Sequence, residues 1–121
     1  MTGLAVGPFP RRDLVQEFFG SFDGSGEYFT DYIDSSDMKD VRIAFWTNSS
    51  TSPNACIVEE NQWDSASTNL HLIRTQSVTI GSAPGGGYEG YAELPLTGRY
   101  FQIIISGADA NAPLAMTLRA V

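Results

Sequence analysis

From Val41 to Trp46, and again from Leu114 to Ala120, apolar side chains recur at every second position. Val41, Ile43 and Phe45 alternate with Arg42, Ala44 and Trp46. Leu114, Met116, Leu118 and Ala120 alternate with Ala115, Thr117 and Arg119. A period of two gathers each set on one face of an extended strand, whereas a helix needs a period near 3.6. Shorter stretches follow the same rule. They are Glu27 to Ile33, Ala55 to Glu59, Leu70 to Ile80, Tyr88 to Leu94 and Arg99 to Ser106. Between them lie turn residues: Asp23-Gly-Ser-Gly26, the polar run Asn48 to Asn54, the glycine loop Gly81 to Gly87, and Gly107 to Pro113. Glycine and asparagine supply the backbone angles that tight turns require. Seven or eight short strands separated in this way predict an all-β antiparallel β-sandwich, jelly-roll or Ig-like. Its core is predicted from Val41, Ile43, Phe45, Ile57, Leu70, Leu72, Ile103, Ile105, Leu114, Met116 and Leu118.

The start of the chain reads differently. Gly3, Gly7, Pro8 and Pro10 punctuate the first dozen residues, and Leu4, Val6 and Phe9 stand between them. Proline fixes its own φ and pushes the residue before it towards extended backbone. Such a segment has no way to bury its apolar side chains by itself. It reads as an extended N-terminal arm, with Leu4, Val6 and Phe9 as anchors on a neighbour and Arg11 and Arg12 pairing with acidic groups at the rim. Asp13 to Phe22 fits both a helical stripe and a strand, and a strand is expected because everything downstream is β. Residues 1–24 are therefore taken as the arm and first extended segment, and residues 25–121 as the sandwich. The basic pair Arg11 and Arg12 follows the apolar stretch, whereas a secretory leader carries its charge first.

Charge and composition narrow the possible functions. The chain has 14 acidic and 7 basic residues, a net charge of −7. That balance repels phosphate backbones and anionic membranes, so neither nucleic acid nor membrane is expected as a partner. With one cysteine, Cys56, and one histidine, His71, the chain cannot form an internal disulfide or a thiolate zinc centre. At 121 residues it is one domain with enough surface to bury a single core.

The loop Gly81 to Gly87 lacks the lysine of a phosphate-binding loop and precedes a strand, so it reads as a mobile hairpin. Asp31, Asp34, Asp37 and Asp40 recur at a spacing of three, which does not converge in a strand, and they read as a solvated acidic turn. His71 is expected on the face opposite Leu70 and Leu72. Its local companions Asp64, Ser65 and Ser67 carry no nucleophile-elbow pattern. Cys56, between Ala55 and Ile57, reads as a small buried hydrophobe. No metal, cofactor or catalytic set is expected. Trp46, Trp63, Tyr88 and Tyr91 are the candidate contact residues. Exposed aromatics on a sandwich can anchor a protein interface or stack on sugar rings. Trp46 is expected to point outward if Val41, Ile43 and Phe45 point in.

One resemblance bears on function. It rests on Asp31-Tyr-Ile-Asp-Ser-Ser-Asp-Met-Lys-Asp-Val-Arg-Ile-Ala-Phe45, on Gly98-Arg-Tyr-Phe-Gln-Ile-Ile-Ile-Ser-Gly107, and on the terminal Leu114-Ala-Met-Thr-Leu-Arg-Ala-Val121. Together, from Thr30 to Val121, these resemble small β-sandwich domains in virion structural proteins of tailed bacteriophages. An early strand follows an acidic turn, and a late strand opens on an Arg-aromatic pair. The resemblance implies a non-enzymatic capsid decoration, or cement, protein. It further implies a homotrimer seated on the major capsid protein at the virion surface. The alternatives are a carbohydrate-binding module and a small tail or baseplate component.

Overall fold

The computed structural model describes residues 14–35, 38–64, 66 and 68–120. Within them the chain is all β. Ten strands run in order: β1 (Leu14–Ser21), β2 (Tyr28–Phe29), β3 (Ile33–Asp34), β4 (Asp40–Thr47), β5 (Ala55–Trp63), β6 (Leu70–Ser77), β7 (Ile80–Ser82), β8 (Tyr88–Pro95), β9 (Tyr100–Ser106) and β10 (Pro113–Ala120). They form two antiparallel sheets. The first has the order β1-β10-β4-β8-β7. The second has the order β2-β9-β5-β6, with β3 also on β9. If β2 and β3 are taken as one interrupted strand, this is the strand order of a jelly roll, two Greek keys folded together. An Ig-like sandwich would instead set the first strand beside the second. The count exceeds the expected seven or eight because β2, β3 and β7 are only two or three residues long.

The predicted alternation appears as alternating burial. Along β4, Val41, Ile43, Phe45 and Thr47 are buried while Arg42, Ala44 and Trp46 are exposed. Leu114, Met116 and Leu118 of β10 and Ile103 and Ile105 of β9 complete this part of the core. Phe22, Cys56, Val58, Val78 and Phe101 join them. Phe101 shares its parity with Ile103 and Ile105, so the same rule points to it.

Three core expectations fail, and one β-bulge accounts for most of the failure. On β5, Cys56, Val58 and Glu60 face inward, so Ile57 lies half-buried on the outer face. On β6 the register against β5 shifts between Glu60 and Asn61: Arg74 lies opposite Glu60, but Leu72 lies opposite Asn61. Ile73 is the extra residue. A bulge of this kind reverses which side chains of a strand face the core. Arg74 and Gln76 turn in towards Glu60, while Leu70 and Leu72 fall outside, Leu72 at 54% exposure.

Of the stretch Asp13 to Phe22, Leu14–Ser21 forms a strand, and Asp13 lies outside the described residues. All eight residues of β1 pair with β10, from Leu14 opposite Ala120 to Ser21 opposite Pro113. Phe22 follows directly into the core. The boundary drawn at residue 24 therefore does not separate β1 from the sandwich. At the next turn, Asp23 Oδ1 accepts hydrogen bonds from the N–H groups of Ser25 and Glu27. Gly26 sits there at φ 76°, and a Cβ on it would run into the carbonyl oxygen of Ala108. Gly26→Ala is expected to lower stability by about 1–3 kcal/mol, because an alanine must occupy a left-handed backbone with no room beside it. The shift in urea midpoint measures it.

Candidate interaction face

The outer face of the first sheet is built by register. Phe19 of β1 lies opposite Ala115 of β10, and Ala115 lies opposite Trp46 of β4. Two residues along, Glu17 lies opposite Thr117, Thr117 opposite Ala44, and Ala44 opposite Tyr91 of β8. Three large aromatics thus stand on a floor of small side chains. At the strand spacing of about 4.8 Å, Phe19 and Trp46 are roughly 10 Å apart across the sheet. Phe19 is 77% exposed, Tyr91 71% and Trp46 42%. The next row carries Arg119, Arg42 and Glu93. Arg42 and Glu93 form an exposed ion pair at 3.5 Å, a contact of small energetic weight at the edge of the patch.

Trp46 is the expected site residue that this face displays. Its indole N–H donates to the carbonyl of Gly86 at 2.9 Å. The glycine loop supplies that carbonyl through a hydrogen-bonded turn, in which Gly86 N–H donates to Ala83 and Ala83 N–H donates to Gly87. Gly86 and Gly87 both have positive φ, and a Cβ on Gly87 would meet the carbonyl of Thr47. The loop holds the indole in one orientation, and a side chain held in place loses less entropy on binding. Phe19 was not singled out from sequence, although its parity in β1 would have placed it outward. The other expected interface residues, Leu4, Val6, Phe9, Arg11 and Arg12, lie outside the described residues.

Trp63, Tyr88 and the acidic residues sit elsewhere. Trp63 ends β5 on the outer face of the second sheet and meets the Tyr100 ring edge-on, with centroids 5.8 Å apart. The Arg99 guanidinium lies 5.2 Å over the same ring and pairs with Asp34 at 3.2 Å. Tyr88 is half-buried opposite Thr47. Asp31 is exposed and Asp40 opens β4, while Asp37 lies outside the described residues. Among the described residues no three His, Cys, Asp or Glu side chains converge as metal ligands.

The groups considered for catalysis have structural partners. Asp64 Oδ1 accepts from the N–H groups of Ala66 and Thr68, and Oδ2 accepts from the Thr68 hydroxyl. The Thr68 bonds hold its carboxyl down to about 2. His71 Nε2 lies 3.8 Å from Asp64 Oδ2, with most of the imidazole in solvent. Ser65 and Ser67 lie outside the described residues. Cys56 is buried, and burial pushes its thiol up to about 12, so it stays protonated at neutral pH.

One feature that sequence reasoning missed is a buried carboxylate. Glu60 has no exposed surface. Its Oε2 accepts from Arg74 Nε at 2.6 Å and Gln76 Nε2 at 3.0 Å. Its Oε1 accepts from the N–H groups of Thr97 at 2.6 Å and Gly98 at 2.9 Å. Arg74 and Gln76 each also donate to the carbonyl of Pro95. The network ties the β8–β9 loop to β5 and β6. No signal in its own strand marks it, because Cys56-Ile-Val58 is apolar on both faces.

No protein family, no characterised protein and no solved structure matched this chain when it was compared with each.

Proposed function

We propose that this chain is a non-enzymatic structural protein of a virion, a capsid decoration protein that grips the major capsid protein through protein–protein contacts at the head surface. The observation that carries the reading is the outer face of the first sheet. Phe19, Trp46 and Tyr91 stand there on Ala44, Ala115 and Thr117, with Glu17 and Glu89 ending the same rows and Arg42, Arg119 and Glu93 in the next. Contact energy concentrates in such central aromatic anchors within a polar rim. Rigid sheet backbone and the fixed indole of Trp46 fit a surface whose work is to adhere. The net charge of −7 disfavours binding to the genome or to anionic lipid.

The experiment is co-sedimentation of the pure chain with capsids that lack it. Saturable binding is expected. Tyr91→Ala, on β8 and three strands from β1, is expected to weaken it about tenfold or more, as for an exposed aromatic anchor. No binding, or full binding by the variant, refutes the reading. The carbohydrate-binding alternative draws on a different place, the Trp63–Tyr100 pair beside Arg99 and Asp34. It predicts saturable quenching of tryptophan fluorescence by a glycan and no dependence on Tyr91.

A further inference from the structure

We infer that β1 is a dimerisation edge, pairing antiparallel with β1 of a second copy so that the two first sheets become one continuous sheet. The two sheets have four edges among the described residues. β7 is three residues long, and β2 and β3 are two residues each. Edges that short offer little to pair with. β6 is eight residues long, but it carries the bulge at Ile73 and has Arg74 in its middle. Short strands, bulges and cationic side chains are the means by which sheet edges are protected from pairing. β1 has none of them. Its register against β10 runs unbroken over eight residues, and its sequence Leu-Val-Gln-Glu-Phe-Phe-Gly-Ser has no proline, lysine or arginine. No described strand lies beyond it.

The occupant follows from charge and parity. A chain of net charge −7 repels its own copies over most of its surface. β1 carries one charged residue, Glu17. Main-chain hydrogen bonds along an edge supply attraction that does not depend on charge. A two-fold axis perpendicular to the sheet brings outer-face residues opposite outer-face residues. Glu17 and Phe19 are both exposed on that face, and Phe18 between them packs against the core. A register centred on Glu17 would set the two carboxylates against each other, which is destabilising. Centring on Phe18 avoids this. It places Phe18 opposite Phe18, and Glu17 opposite the partner's Phe19 on both sides of the axis. Phe19, the most exposed of the large hydrophobic side chains described, is then flanked by the partner's Glu17. The pairing counts copies in twos, against the three that the phage resemblance implies. It does not rest on capsid binding, and Tyr91→Ala leaves it untouched.

The test is sedimentation equilibrium of the full chain across micromolar concentrations, with circular dichroism to confirm folding. A dimer in reversible exchange with monomer is expected. Phe19→Glu sets like charges opposite each other twice, so the dissociation constant is expected to rise roughly ten- to thirtyfold. Within the monomer the same substitution meets only Ala115 across the strand, and position 17 meets only Thr117. The double variant Glu17→Lys/Phe19→Glu converts both oppositions into opposite-charge pairs and is expected to restore dimerisation. That restoration separates register-specific pairing from general stickiness of an exposed phenylalanine. A chain that stays monomeric throughout, a mass of three chains, a dimer that survives Phe19→Glu, or a double variant that remains dissociated each overturns the inference.

Discussion

Glu60→Ala is expected to remove about 3–5 kcal/mol of folding stability, seen as a fall in the urea midpoint at unchanged slope. The carboxylate is fully buried, and Arg74, Gln76, Thr97 and Gly98 donate to it. Truncating it leaves a guanidinium, an amide and two backbone N–H groups facing an empty acceptor position. Orphaned donors of this kind cost far more than the intact network contributes. The β8–β9 loop from Leu96 to Arg99 should loosen first, because Thr97 and Gly98 hold it through Glu60. Faster amide exchange at those two residues would locate the damage. Acid titration reads the same group. Burial pushes the Glu60 carboxyl up, but the hydrogen bond and charge of Arg74 and the N–H groups of Thr97 and Gly98 outweigh it and hold it below its ordinary 4.5. A carboxyl lowered on folding contributes its stability in full above 4.5, and that contribution fades as pH falls through the folded value. Wild-type stability should therefore fall on acidification below about 4.5, and more gently in Glu60→Gln, which has no proton to take up at this site. Asp64 and Asp109, both held down to about 2 mainly by hydrogen bonds from Thr68 and Ser50 respectively, extend the remaining loss to lower pH. Equal acid sensitivity in wild type and Glu60→Gln would refute this account.

Phe45→Ala is expected to cost about 3–5 kcal/mol, equivalent to a fall of roughly 10–25 °C in Tm. Phe45 is buried in the middle of the first sheet, opposite Met116 on one side and Gly90 on the other. The choice of residue at position 90 makes the loss severe. A Cβ on Gly90 would run into the Phe45 ring, so β8 yields its side chain there to make room. When the ring is removed, β8 has no side chain to move into the space, and a site that cannot collapse pays the larger cavity cost. A change in Tm of only a few degrees would mean that the two sheets close over the gap.

The sandwich was legible because its cause is local. Strand alternation needs only neighbouring residues, and Val41-Ile43-Phe45 and Leu114-Met116-Leu118 carry their facing in their own order. Outward Trp46 followed from the same parity. Where a strand is apolar on both faces, parity loses its meaning. Cys56-Ile-Val58 is such a stretch, and only the contacts of β5 with β9 and β6 put Cys56 and Val58 inside and Ile57 outside. The bulge at Ile73 is likewise invisible in a single strand, since it is a mismatch between two. The buried state of Glu60 depends on Arg74 and Gln76 on the next strand and on Thr97 and Gly98 some forty residues on, none of which its own strand reveals.

β1 marks the boundary most clearly. Its residues suit helix and strand alike, and what made it a strand was pairing with β10 at the other end of the chain. The same pairing leaves its far side without a neighbouring strand among the described residues. The sequence by itself determined that the chain would be β, where its turns would fall and that its surface would be acidic, because these properties belong to short stretches. Tertiary structure alone decided which face of β5 and β6 is the core, which carboxylate is buried and which strand β1 pairs with. Each of those outcomes is settled by groups distant along the chain, at the moment they meet.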